Sequence, residues 1–215
     1  MRKTIMLVLL LTLLLGMACA GEEKNKLFEK IKIGDLTAVE KILNKNPKLI
    51  NVVDKYKGTP LHFASIRGHT DIVKLLISKG ADVNTRNAGR YTPLHWAASW
   101  GQTDVVKFLI SKGAEVNAKN KHNTTPLHEA ANGGHTDTAK MLISKGAEVN
   151  AKDNSGKIPL HLSAKYGYTD IAKLLISKGA NVNAKDKEGR TPLYYAVKRK
   201  HKETADLLRK HGGKE

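Results

Sequence analysis

The stretch from Thr92 to Asn117, TPLHWAASWGQTDVVKFLISKGAEVN, returns along the chain at a fixed interval. Related copies begin at Thr59, Thr125, Ile158 and Thr191, each 33 residues after the one before. A period in the range of roughly 20–50 residues marks a solenoid, in which each unit has too little core alone and buries its apolar faces against its neighbours. Only 5% of the 215 residues are aromatic although 40% are hydrophobic, so the shared core must be built from small aliphatic side chains.

Each signal inside a unit has a mechanical reason. Thr92 is a good helix N-cap and Pro93 suits the first helical position. Leu94, Ala97 and Ala98 supply the inner face of a short helix, and Gly101 can end it in the left-handed conformation. Asp104 favours the start of a second helix, in which Val105, Val106, Phe108, Leu109 and Ile110 are apolar positions for burial. Lys112 lies near the negative helix end, before Gly113. Ala114 to Thr125 should return through a turn-rich hairpin loop, with Val116 buried.

The hexapeptides TPLHFA at 59, TPLHWA at 92 and TPLHEA at 125, with the degraded copies IPLHLS at 158 and TPLYYA at 191, resemble the ankyrin repeat over nearly all of the chain after residue 26. The expected fold is an all-α solenoid of helix-turn-helix units with hairpin loops. It divides into an N-terminal capping helix pair at 21–53, repeats at 54–86, 87–119, 120–152 and 153–185, and a C-terminal capping repeat at 186–215. In the first cap Lys26 and Glu29 stand where later units carry Pro and an apolar residue, giving the polar outer face that an end unit needs. One extra residue in NKNPKLIN predicts a local loop distortion. Ile158 lacks the capping hydroxyl of its counterparts, a loss of about 1 kcal/mol at a helix start. Lys57 and Arg90 stand where Gly156 and Gly189 do in later loops, which predicts fingertips of different shape. Lys200 replaces the helix-ending Gly, and Arg209 and Lys210 replace Ile-Ser, as expected of a terminal cap.

Residues 1–20 read as an export signal: Arg2 and Lys3 precede an apolar run from Ile5 to Leu15, and the small residues Gly16, Ala18 and Ala20 follow. Two cleavage readings stand. Ala18-Cys19-Ala20 fits cleavage before Gly21, whereas Gly16-Met17-Ala18-Cys19 resembles a bacterial lipobox and would leave Cys19 lipidated. The expectation is a bacterial protein that is lipid-anchored, facing the periplasm or cell surface, or else soluble in the periplasm or secreted. Cys19 is the single cysteine, so no intrachain disulfide or Cys-based zinc cluster is available.

No segment carries the spacing of a nucleophile elbow, a phosphate-binding loop or a dinucleotide fingerprint, and no cofactor is expected. His62, His95, His128 and His161 recur every 33 residues, but stacked helix pairs lie roughly 8–10 Å apart, too far for neighbouring imidazoles to share an ion bonded near 2 Å. No metal site is expected, and the resemblance implies instead that these histidines tie loops together. Asp71, Asp104, Asp137 and Asp170 recur at helix starts, where the helix dipole explains them.

The resemblance points to protein binding through fingertips and first helices. It marks Tyr56, Ile66 and Arg67 in one unit; Tyr91, Ser99 and Trp100 in the next; His122 and Asn132 in the third; Lys157, Lys165 and Tyr166 in the fourth; and Lys198 and Arg199 in the last. Tyr56, Tyr91, Trp100 and Tyr166 are expected to be exposed, and Trp96 to lie in the core. A formal charge of +17 and basic fingertips favour an acidic protein partner, with attachment to an anionic membrane or polymer as the rival. Nucleic acid is not expected as a partner, and the chain is expected to be monomeric.

Overall fold

The structure is a computed structural model that describes residues 21–215; the leader and Cys19 lie outside the described residues. Regular structure among the described residues is entirely helical. Helix α1 covers residues 21–33 and is followed by α2 (Leu36–Lys45) and a 3-10 turn, Pro47–Asn51. That turn is the form taken by the expected distortion: Pro47 opens it and Leu49 is its buried residue. Five helix pairs follow: α3 (Pro60–Arg67) with α4 (Thr70–Ser78), α5 (Pro93–Ser99) with α6 (Thr103–Ser111), α7 (Pro126–Gly133) with α8 (Thr136–Ser144), α9 (Pro159–Tyr166) with α10 (Thr169–Ser177), and α11 (Pro192–Lys198) with α12 (Lys202–Lys210).

The pairs stack in two layers. Each first helix packs on the next first helix, α3 to α5 to α7 to α9 to α11, and the second helices form a parallel row from α2 to α12. Leu61, Leu94, Leu127 and Leu160 are fully buried at equivalent sites in the first layer, as are Leu76, Leu109, Leu142, Leu175 and Leu208 in the second. Phe28 of α1 meets Phe63 of α3 edge-on at 4.9 Å, which attaches the amino-terminal cap to the stack.

The turn between paired helices shows why glycine recurs there. Gly101 has φ 68°, and a Cβ on it would lie 2.5 Å from Nδ1 of His135 in the next unit. Lys200 takes the same left-handed backbone, φ 61°, in the last unit, where among the described residues no further unit packs against it. That position therefore keeps only the conformational half of the glycine requirement.

Between helix pairs the loops project as fingertips joined by backbone hydrogen bonds: Ala88 N–H donates to Tyr56 O (2.9 Å), Lys121 to Gly89 (3.0 Å), Asn154 to His122 (2.8 Å) and Lys187 to Ser155 (2.9 Å). The expected difference in fingertip shape is corrected here. Lys57 and Arg90 both take φ 60° and close the same turn as Gly156 and Gly189. The reason is the Asx residue at the turn's start. Asp54 Oδ1 accepts the N–H of Tyr56 and Gly58, Asn87 Oδ1 those of Gly89 and Tyr91, and Asp153 Oδ1 those of Ser155 and Lys157. This side chain sets the turn, so a non-glycine residue is held in a backbone it would not choose. At the loop bases Asn84, Asn117, Asn150 and Asn183 each donate to a glycine carbonyl of the next unit and accept a backbone N–H from it.

Candidate interaction surface

The recurring histidines spend their polar groups inside this frame. Nδ1 of His62, His95, His128 and His161 receives the backbone N–H of Thr59, Thr92, Thr125 and Ile158 at 3.1–3.2 Å. A backbone N–H can only donate, so Nδ1 accepts and Nε2 carries the proton. Nε2 donates to the carbonyl 29 residues ahead, on Tyr91, Thr124, Lys157 and Arg190, at 3.0–3.2 Å. Burial, together with these bonds, holds the rings neutral: desolvation lowers all four pKa values, that of His95 to about 4. Neither nitrogen is free for a metal or a substrate proton. Ile158 keeps this half of its cap, and its own carbonyl accepts the His161 N–H at 2.9 Å. In the last described unit Tyr194 stands in place of the histidine.

A second row of ties, not anticipated from the sequence, runs along the opposite ends of the helices. His135 Nε2 reaches Ser99 O at 3.0 Å, His201 Nε2 reaches Lys165 O at 3.1 Å, and Gln102 Nε2 donates to Ile66 O at 3.2 Å. With both rows in place, the framework's polar side chains are consumed in holding units together. What remains for a ligand is the set of positions at which the copies differ.

Tyr56, Ile66 and Tyr91 come together in one cleft of ≈360 Å³ between the first two repeats, closed by Phe63, Trp96 and the fingertip Asn87 to Gly89. Two expectations are corrected. Trp96 is half-buried and lines the cleft, while Tyr91 is half-buried, its ring stacked on Trp96 with centroids 5.2 Å apart. The indole lines the cleft rather than joining the leucine core, and the tyrosine ring stacks over it. A signal was available: the position after the recurring histidine holds Phe63, Trp96, Glu129, Leu162 and Tyr195, too varied for a shared core position. Tyr56 is 62% exposed on the cleft's rim, with Lys55 Nζ over its ring at 4.9 Å.

The other candidate residues take several environments. Trp100 is 57% and Tyr166 41% exposed; Arg67, His122, Asn132, Lys198 and Arg199 are also exposed, whereas Ser99 and Ile66 are half-buried. Lys157 and Lys165 are half-buried because they lie over tyrosine rings. Lys157 Nζ sits 5.5 Å from the Tyr195 centroid and Lys165 Nζ 4.9 Å from that of Tyr166. Lys198 Nζ covers Tyr194 at 5.4 Å and donates to its hydroxyl at 3.1 Å.

The carboxylates around these cations are committed elsewhere. Asp186 accepts from Tyr195 Oη (2.7 Å) and Arg190 Nε (3.0 Å) as well as from two backbone N–H groups. Burial alone would raise its pKa, but those donors hold it down at about 2. Glu188 also pairs with Arg190. In the middle of the row, burial raises the Glu129 carboxyl while the Thr124 hydroxyl donates to it at 2.8 Å. The face thus runs from aromatic, through one half-buried acid, to cationic.

Comparison with known proteins places the repeat in context. A family profile described as ankyrin repeats (3 copies) matches residues 27–120 and 127–215. Among curated proteins, the chain is 47% identical over 53 residues to the serine/threonine-protein kinase VIK of Arabidopsis thaliana, covering 25% of this chain and 12% of that one. It is 41% identical over 75 residues to the probable E3 ubiquitin-protein ligase XBOS33 of Oryza sativa subsp. japonica, covering 34% and 14%. To ankyrin repeat domain-containing protein 49 of Bos taurus it is 45% identical over 49 residues, covering 23% and 21%. The matched stretches thus span between an eighth and about a fifth of these relatives.

Proposed function

The chain belongs to the ankyrin repeat family, and from that premise we propose that it is a non-catalytic binder of an acidic protein in a bacterial envelope, acting as scaffold or inhibitor through its concave face. The kinase and ligase names belong to much longer relatives and lend this chain no activity. One observation carries the reading: fingertip residues Tyr56, Asn87 and Tyr91 face first-helix residues Phe63, Ile66 and Trp96 across an apolar cleft, on a frame whose buried side-chain polar atoms all have partners among the described residues. Aromatic and arginine side chains on a preorganised surface are what binding hot spots favour, since little ordering entropy is lost on docking. Export rests on the leader at 1–20, with Cys19 lipidated after cleavage before it, or with Gly21 first after the alternative cleavage.

Photo-crosslinking in the native cell tests both parts. A crosslinkable residue at Trp100 should give a discrete protein adduct in the envelope fraction, and one at Lys107 on the second-helix layer should not. Adducts only from Lys107 would overturn the concave-face reading. Association with membranes that is lost at about 1 M salt, where the Debye length is near 3 Å, without any adduct would favour the electrostatic rival. Trp100→Ala should leave the unfolding midpoint within about 0.5 kcal/mol of wild type, as for other exposed positions, while the adduct formed from Tyr56 weakens.

A further inference from the structure

The concave face is not uniform, and its two ends call for different chemistry. At the amino-terminal end the cleft between Tyr56, Phe63, Tyr91 and Trp96 is apolar, and its one carboxylate, Asp54, is occupied by two backbone N–H groups. The exposed charges next in sequence to its lining residues, Lys55, Lys57, Arg67 and Arg90, are all positive. A cationic ligand side chain is therefore disfavoured there, and a bulky neutral one flanked by negative charge is favoured. At the carboxy-terminal end Lys157, Lys165 and Lys198 rest on tyrosine rings, and neither they nor Arg199 form an ion pair among the described residues. Asp186 and Glu188, the acids nearest to them in the last fingertip, are tied to Arg190. Glu129, between the two ends, repels a carboxylate laid across the middle.

We propose that this face is a bipartite receptor for one extended segment of an acidic partner protein. The segment seats a bulky apolar side chain in the cleft and a carboxylate cluster over Lys157, Lys165 and Lys198. Three repeats separate the two ends, roughly 27 Å at helix spacings near 9 Å, which an extended chain crosses in about eight residues. Length thus becomes part of the recognition. The inference rests on the concave-face reading above and adds the identity of the two anchors and the distance between them.

Random peptides of about 16 residues, long enough to reach both ends at ~3.3 Å per residue, would be displayed on phage and selected against the full chain. Enriched sequences should hold a Trp, Phe or Leu and an Asp/Glu run about eight residues apart. A synthetic copy of one of them, followed by fluorescence anisotropy, should lose about tenfold or more in affinity with Tyr56→Ala, and likewise with the pair Lys165→Glu and Lys198→Glu. Lys107→Glu on the other layer should change nothing. Tyr56 and Lys198 are exposed and Lys165 is half-buried, and circular dichroism would verify that both variants fold. Peptides that depend on the concave residues but lack the spacing would overturn the bipartite inference and leave the concave-face reading standing. Peptides weakened only by Lys107→Glu would overturn both. Failure to enrich any peptide would overturn the inference of an extended segment.

Discussion

At Lys57, Arg90, Asn123 and Lys200 a side chain occupies a left-handed backbone that glycine would occupy without steric cost. Arg90 is the informative case, because Asn87 already fixes the turn through two backbone N–H bonds and the arginine has no ion-pair partner among the described residues. Removing its Cβ relieves strain of order 1–2 kcal/mol, against an unfolded-state entropy cost to glycine of about 0.5–1 kcal/mol. Arg90→Gly should therefore raise stability by roughly 0.5–1 kcal/mol, read as a higher urea midpoint with an unchanged slope. A lower midpoint would mean that arginine stabilises the fingertip by contacts outweighing the strain. Its presence at a position where glycine fits better accords with a surface selected for its charge.

At the level of elements, the histidine ties join each helix start to the next loop, and their chemistry makes the join sensitive to acid. The folded pKa of His95 is depressed to about 4 by burial, against an ordinary value near 6.5, and His62, His128 and His161 shift in the same direction. Between those two values the unfolded chain binds a proton that the native ring refuses. Stability is therefore fully present above about pH 6.5 and falls as pH drops towards 4, by up to about 1.4 kcal/mol per pH unit for one such ring. Glu129 opposes this weakly, since burial raises its pKa and protonation there favours the folded state. Urea midpoints should fall between pH 7 and 5, and His95→Gln should make that fall shallower although it lowers stability at pH 7; an unchanged slope would exclude His95 as a contributor. Much of this was legible in the sequence, because a 33-residue period places every framework residue once its place in one unit is known. The helix pairs and the role of the histidines followed. The second row of ties did not, since its position holds histidine at 69, 135 and 201 but Gln102 and Tyr168 between them, and each partner carbonyl lies 36 residues back in the preceding unit, at a position with no repeated letter of its own. Trp96 was misplaced because a large apolar residue beside the TPLH box looks like core until the path of the neighbouring fingertip is known.

For the whole molecule, the same ties imply that stability is a sum of units and nearest-neighbour interfaces rather than the property of one core. Units in the middle are held on both sides; α7 packs on α5 and α9, and His95 and His128 tie into the loops before and after it. Among the described residues the last unit has a neighbour on one side only. Tyr194 replaces its histidine, and Thr191 Oγ1 donates instead to Lys214 O at 2.6 Å, a bond that depends on a terminal segment staying in place. Opening α11 and α12 breaks one interface, whereas opening α7 and α8 breaks two. Native-state hydrogen exchange should therefore be slowest in α5 to α9 and faster in α11 and α12 by at least about an order of magnitude, with sub-global opening free energies graded along the stack. Removing Leu127, fully buried at the centre, should sharpen the contrast: Leu127→Ala should cost about 2–5 kcal/mol and split the unfolding curve, since each flank keeps its own ladder of ties. Uniform exchange through α3 to α12, or a single cooperative transition in that variant, would mean that the ties act as one network. A stack that opens from its end also bears on binding. Of the cationic patch, Lys165 on α9 would belong to the rigid part of the face with the aromatic cleft and Lys198 on α11 to the mobile part, so a partner would dock its apolar anchor first and order the α11 end as its carboxylates arrive.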